Sequence, residues 1–445
     1  MDKLKERFYQ NAQAMVADIK AFQKENADKK VGEYNVSQIY GGMHGIIGLI
    51  TETSKLDPEE GIRFRGYTIP ELREKLPRAQ GGFEPLPEGI FYLMLMNDLP
   101  TFDDVMEVSN NWARRAIVPK HVFTVIDAMP LHTHPMTLFS MAIEAMQTES
   151  EFTKAYRNGI AKKDYWDPTY EDVMNLIARL PRVAAYIYRR LYREDKHIEP
   201  DPKLDWAANY AHMLGYDTLE VKRLMRLYLT IHADHEGGNV SAHSAHLVGS
   251  ALSDAYLSYA AGMNGLAGPL HGLANQEVIL WIKHMQKDLD CESPTNEQIS
   301  QYVKKTMAEG KVIPGYGHAV LRKTDPRFTA QMDFAKKYIG FDPVIDLVHR
   351  IYEVVPPILG SIGKIKNPWP NVDAHSGALL MHYGINEYDY YTVMFGVSRA
   401  LGVLAQLIWS RLVGLPIERP GSITTDLLKK KVATSTQKPV EKAAT

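Results

Sequence analysis

The chain has 445 residues, 45% of them hydrophobic and 23% charged, which is the composition of a globular protein. It exceeds the ~250–300 residues at which single cores divide, so two domains are expected. A formal net charge of −2 leaves no basic stripe for nucleic acid, and the single cysteine, Cys291, rules out an internal disulfide and suits a reducing compartment.

From the start of the chain, "MDKLKERFYQNAQAMVADIK" mixes Asp2, Glu6 and Asp18 with its lysines. It lacks an apolar signal core, and transit peptides are poor in acids, so no targeting segment is read there. Strand signals are few, and the best lies between Gly48 and Tyr67, where "LDPEEGIRFRGY" sets turn residues before a short alternating stretch. The run "IFYLMLM", Ile90 to Met96, falls far short of the ~18 apolar residues that suggest a membrane span.

The dominant period is helical. In "EDVMNLIARLPRVAAYIYRRLYRE", Val173, Leu176, Ile177, Leu180, Ala184, Ile187 and Leu191 share one face, and Pro181 is expected to kink or split the helix. "YTVMFGVSRALGVLAQLIWSRL" is apolar nearly all round, which predicts a helix buried on every side. The tail "KKKVATSTQKPVEKAAT", residues 429–445, has almost no apolar content and is expected to be disordered. The fold class is mainly α, with minimal β.

Three histidine segments carry chemistry. "HADHEGGNVSAHSAH" holds His232, His235, His243 and His246 in two H-x-x-H pairs, a spacing that can serve a metal or merely pack and cap a helix. In "NGLAGPLHGLANQEV", His271 is read in the first turn of a helix, where the positive end of the dipole keeps an imidazole neutral. "VIPGYGHAVLRKTDPR" locks His318 into a stiff loop with cations at its exit. Its glycines lack the third member and the βαβ setting of a dinucleotide fingerprint. In "KNPWPNVDAHSGALL", Asp373 stands before an apolar helical run, a place where a lone Asp is usually an N-cap. Neutral histidine donors, a carboxylate and arginines on rigid loops are together the parts that form and capture an enolate.

These strings, with "FGVSRALGVLAQLIWSR", occur in one order from about residue 30 to 428, and through them the chain closely resembles the citrate synthase family of mitochondria and some bacteria. The resemblance implies a citrate-synthase-like helical fold: a large domain (1–271 and 381–428) and a smaller, mobile helical domain inserted at 272–380. It implies condensation of acetyl-CoA with oxaloacetate and hydrolysis of citryl-CoA, with His271, His318 and Asp373 as catalytic residues. Oxaloacetate would be held by His235, Arg327 and Arg399, joined by Arg419 from the other subunit of a homodimer with shared active sites. Coenzyme A would meet the backbone at Val312, Gly315 and Gly317, with Arg322 near its phosphates. His44 and Lys162 stand where many family members carry arginine, and Lys366 is a compensating contact. No tightly bound cofactor, metal, nucleic acid or membrane enters this reading. The expected compartment is the cytoplasm, or the mitochondrial matrix for a processed chain. A propionyl-CoA-using 2-methylcitrate synthase and a His-rich metalloenzyme are the alternatives.

Overall fold

The computed structural model describes residues 3–363 and 365–435, and these fold into twenty α-helices, three short 3-10 turns and one small sheet. The sheet is antiparallel in the order β1 (Ser54–Asp57), β2 (Gly61–Phe64), β3 (Tyr67–Thr68), with Ser54 opposite Phe64 and Asp57 opposite Gly61. Its first turn is closed by the Asp57 carboxylate, which accepts the N–H groups of Glu59 and Glu60 at 2.8 and 2.9 Å. The β signal of the sequence is thus realised only between residues 54 and 68.

The core is organised round the helix Tyr391–Val413, in which every residue but Ser410 and Val413 is buried. Its apolar surface leaves no face for water, so neighbours must supply partners for its polar groups. Ser398 Oγ donates to the Leu229 carbonyl at 2.6 Å and Trp409 Nε1 to that of Leu95 at 3.1 Å. The stretch Tyr388–Val413 is long and apolar enough to cross a membrane by length and composition, yet its most apolar 18-residue window is wholly buried within the protein. Gly414, at φ +80°, ends it in a left-handed turn.

Two expectations are corrected. Of the kink or split expected at Pro181, the split does not occur: Trp166–Tyr192 is one helix that contains this proline. An interior proline costs about 3 kcal/mol, and the burial of Leu176, Ile177, Leu180, Val183, Ala184 and Ile187 around it, at about 1.5–3 kcal/mol for each large aliphatic side chain, outweighs that cost. Residues 429–435, expected in a disordered tail, belong to the helix Thr425–Ser435. Asp426 sits in its favourable first turn, Leu428 is buried, and the lysines that made the segment look disordered are good helix formers. Residues 436–445 of that tail lie outside the described residues.

Between residues 274 and 382, the helices Ala274–Asp288, Asn296–Ala308, Pro326–Tyr338, Pro343–Gly360 and Asp373–His382 pack chiefly on one another. They meet the rest of the chain at the sheet: Arg322 donates its backbone N–H to the Pro58 carbonyl at 2.7 Å, and Lys323 pairs with Glu59 at 3.1 Å. Arg73 and Asp333, 3.2 Å apart, make a further bridge.

Candidate active site

The two loops that carry His318 and Asp373 are laced together. Gly317 N–H donates to the Trp369 carbonyl at 3.0 Å, and Asn371 N–H to that of Gly315 at 2.9 Å. Asn371 Nδ2 reaches the Gly317 carbonyl at 3.2 Å, and Tyr316 bridges to Pro370. Asn371 also caps the following helix by accepting the Asp373 N–H at 3.0 Å. Asp373 is therefore the first helical residue rather than its cap, and its carboxylate is released from structural duty. Among the described residues it forms no hydrogen bond or ion pair. Burial pushes the Asp373 carboxyl up to about 7; Arg327 and Arg399 hold it down, while Asp325 raises it further.

His318 has a fixed proton. Its Nδ1 accepts the backbone N–H groups of Val320 and Leu321 at 3.0 and 3.1 Å, so in the neutral ring the hydrogen resides on Nε2. Burial and the nearby Arg327 bring its pKa down to about 4, with Asp325 and Glu236 opposing, so the ring is neutral at physiological pH.

His271 is fixed in the opposite sense. The backbone N–H of Ser241 donates to its Nε2 at 3.2 Å, with Ser241 Oγ 2.9 Å from the same atom, which leaves the proton on Nδ1. Sequence reasoning placed His271 in the first turn of a helix; that helix begins only at Ala274, and His271 lies in the preceding turn, donating its N–H to the Gly268 carbonyl at 3.0 Å. Its neutrality comes from burial first and the Arg399 charge second, which bring it to about 4, rather than from a helix dipole.

Arg399, 1% exposed, spends Nε on the His232 carbonyl at 3.1 Å and Nη1 on Asn239 Oδ1 at 3.2 Å and Ser241 Oγ at 3.3 Å. Burial lowers it to about 10, so it stays charged at neutral pH. Arg327 is gripped by Asp325 through Nε (3.1 Å to both oxygens) and Nη2 (2.7 Å). Burial alone would raise Asp325, but Arg327 holds it below the usual carboxylate range. His235 packs edge-on against His318 at 5.4 Å between ring centroids, and its buried Nε2 has no partner. Burial, then Arg327, His318, Arg399 and His271, push it well below the ordinary value. These mutual influences place His235, His271, His318, Asp373, Arg327 and Arg399 round one centre.

The remaining predicted residues lie elsewhere. Val312 is 81% exposed at the mouth of the His318 loop, and Lys366 is exposed on the facing loop. Gly315 and Gly317 take φ of +78° and +88°. Arg322 folds Nη1 back onto the carbonyls of Ala319, Val320 and Leu321. His44 and Lys162 are exposed on segments outside the centre, and so is Arg419, beyond the long core helix.

The structure adds Asn239, Ser241, Asp325 and Asn371, which the sequence did not single out. Asn239 is legible in retrospect as the cap of the helix Val240–Ser250; that its Oδ1 also faces Arg399 is not. The four histidines of the H-x-x-H pairs diverge. His232 Nδ1 bonds the Tyr228 carbonyl at 2.9 Å, His235 faces the centre, and His243 lies 3.2 Å from Glu418. Among the described residues no group of three or more His, Cys, Asp or Glu side chains is placed to hold a metal ion, so the metalloenzyme reading lacks a ligand set.

A family model described as the C-terminal domain of citrate synthase matches residues 42–421. The chain is 59% identical to the probable mitochondrial citrate synthase of Glossina morsitans morsitans, over 93% of this chain and 89% of that one. It is 58% identical to mitochondrial citrate synthase 4 of Arabidopsis thaliana, over 92% and 86%. Among solved structures, citrate synthase of Pyrobaculum aerophilum superposes with a TM-score of 0.74 at 27% identity, covering 89% of this chain and 95% of that one. The ternary complex of carboxymethyl coenzyme A and oxaloacetate with citrate synthase of Thermoplasma acidophilum superposes with a TM-score of 0.73 at 21% identity, over 88% of this chain and 97% of that one.

Proposed function

The chain belongs to the citrate synthase family, and from that premise we propose how its residues divide the work. The reaction condenses acetyl-CoA with oxaloacetate and hydrolyses citryl-CoA to citrate and CoA. The observation that carries the division is the opposed placement of the protons on the two neutral histidines, Nδ1–H on His271 and Nε2–H on His318.

Asp373 removes a proton from the acetyl methyl group. Its raised pKa makes it a stronger base than an ordinary carboxylate, and its oxygens are not tied up by protein donors. The charge that develops on the thioester oxygen meets the Nδ1–H of His271, a donor in a dry site that needs no reorganisation. His318 directs its Nε2–H at the ketone oxygen of oxaloacetate and draws electron density from the carbon under attack. The enolate carbon bonds to that carbon as the carbonyl π bond opens, and the ketone oxygen takes up one proton, balanced by the one Asp373 removed, to become the hydroxyl of citryl-CoA. Water then attacks the thioester carbonyl, the carbon–sulfur bond breaks, and citrate and CoA leave. Proton transfer and hydrogen bonding suffice, so acetyl-CoA is a co-substrate and no resident cofactor is called for.

Arg327 and Arg399 receive the oxaloacetate carboxylates, as planar guanidinium groups suit carboxylate pairs. The unpartnered Nε2 of His235 adds a third contact. Arg419 is exposed and unpaired among the described residues, which supports its passing to the partner subunit's site in a homodimer. Residues 272–380 move as a unit over the substrates. The backbone at Val312, Gly315 and Gly317 borders the CoA adenine, with Arg322, Lys366, His44 and Lys162 towards the phosphates. The one thiol, Cys291, is unpaired, as befits a reducing compartment such as the cytoplasm or the mitochondrial matrix.

Thiol release with oxaloacetate and either acetyl-CoA or propionyl-CoA is the direct test. Acetyl-CoA is expected to give the higher kcat/KM; a higher value with propionyl-CoA would transfer the chain to 2-methylcitrate synthesis.

A further inference from the structure

The segment between the core helix, which ends at Val413, and the helix Thr425–Ser435 has no regular secondary structure, and it carries Arg419. Among the described residues, Glu418 is the only member of 416–423 that forms a hydrogen bond or ion pair. It forms two, both to the helix Val240–Ser250: its Oε2 lies 3.2 Å from His243 Nε2, and its backbone N–H donates to Ser250 Oγ at 2.9 Å. The buried ring of His246, one turn along from His243, also feels the Glu418 charge.

That helix is not a neutral support. Its cap Asn239 and its residue Ser241 hold Arg399, and Ser241 sets the proton of His271. Positions 239, 243, 246 and 250 recur at helical spacing, so one face runs from the catalytic centre to the Glu418 anchor. An arginine at the tip of an unanchored segment must lose its conformational freedom on meeting a carboxylate, whereas one beside a fixed residue has already lost much of it.

We propose that the His243–Glu418 pair is a positioning device for Arg419, fixing the point from which that guanidinium leaves its own chain for the partner subunit's oxaloacetate site. This rests on the shared-site reading above. His243 and Glu418 do not touch substrate; they act through Arg419. Their loss therefore shows in oxaloacetate affinity rather than in the chemical step.

The test is a double-mutant cycle on the full-length dimer, with light scattering and thermal melting as controls. Glu418→Ala is expected to raise the KM for oxaloacetate about tenfold while kcat and the KM for acetyl-CoA stay within about twofold. Glu418→Gln, which keeps an acceptor for His243, is expected to recover most of the affinity. Added to Arg419→Ala, Glu418→Ala should cost nothing more, because the group it positions is gone. Additive losses in the double variant, or an unchanged oxaloacetate KM in Glu418→Ala, would overturn the proposal. Should Glu418→Ala misfold, His243→Ala removes the same contact and is read in the same cycle. The shared-site reading is tested separately, by mixing the impaired Arg419→Ala and His271→Ala chains and reading activity above that of either alone: each mixed dimer places both defects in one site and neither in the other. Recovered activity upholds shared sites whatever the cycle gives; no recovery with subunit exchange confirmed removes them.

Discussion

The backbone N–H of Ser241 meets Nε2 of His271 at 3.2 Å, and that contact decides which ring nitrogen carries the proton. The donor belongs to the main chain, so the side chain of Ser241 is dispensable for the tautomer. Ser241→Ala is expected to lower kcat less than about tenfold, with a larger effect on oxaloacetate KM through the lost Arg399 contact. His271→Ala removes the donor itself and is expected to cost about 10²–10³ in kcat, the usual size for an oxyanion donor. Steady-state kinetics of both variants check this; equal losses in kcat would show that the hydroxyl, not the backbone, sets the ring.

The Asp373 carboxyl, pushed up to about 7 by burial, has to be ionised to act as base, so activity rises with pH through that region. The kcat/KM for acetyl-CoA is expected to show an acidic limb near pH 7. Asp373→Asn should lower kcat by roughly 10²–10⁴ and abolish the limb. Asp325 is the charge that raises Asp373 further, and it also holds Arg327. Asp325→Asn should therefore shift the limb to lower pH and raise the oxaloacetate KM. A limb that stays in place in Asp325→Asn would assign it to another group.

Histidine burial makes the fold acid-sensitive. His232 and His375 are held at about 3, and His246, His271 and His318 at about 4, against about 6.5 in an unfolded chain. Above pH 6.5 these rings are neutral in both states and contribute no pH dependence. As pH falls below 6.5 the unfolded chain gains protons that the folded chain refuses, and stability is lost at up to about 1.4 kcal/mol per unit for each ring until its folded value is reached. His246 lies outside the catalytic centre, and its Nε2 is buried without a partner. His246→Gln is expected to reduce the stability lost between pH 6.5 and 5 by up to about 2 kcal/mol, read from urea midpoints. An identical pH slope in the variant would mean that His246 binds protons equally in the folded and unfolded chain, and so is not held neutral by burial.

The sequence spoke most clearly where a pattern is local. The all-round apolar stretch became the enclosed helix Tyr391–Val413, because no amphipathic alternative competes with complete burial. Pro181 does not split its helix, because the cost of one missing donor is local while the burial that offsets it is tertiary. The lysines at 429–431 misled, since a composition typical of solvated chain is equally that of an exposed helix. His318 and Asp373 were legible as residues, but their electronic state was not. That depends on Val320 and Leu321 turning two N–H groups onto one nitrogen, and on Asn371 taking over the cap. The pairing of Asp325 with Arg327 hid in plain view inside "TDPR", because a residue two places away reads as a helix cap and only the folded geometry shows the fork.

At Gly315 the His318 loop runs close against the start of the Asp373 helix. Its φ is +78°, a conformation that costs an L-residue about 1–2 kcal/mol. A Cβ added there would lie 2.9 Å from Ala374 Cα, 2.9 Å from Val278 Cγ2 and 3.0 Å from Ala374 Cβ. The nearest obstacle is backbone, so no rotamer change relieves it, and the loop must back away from the helix start. That movement strains the bond from Asn371 N–H to the Gly315 carbonyl and alters the distance between the donor on His318 and the base on Asp373. Gly315→Ala is therefore expected to destabilise the chain by about 2–4 kcal/mol, strain and overpacking combined. It should also lower kcat at least about tenfold at temperatures where the protein is still folded, since small misplacements of reacting groups are costly. Melting curves and kcat on the same preparation separate the two effects. A variant that melts lower but turns over at the wild-type rate would show that the two loops can separate without disturbing the chemistry.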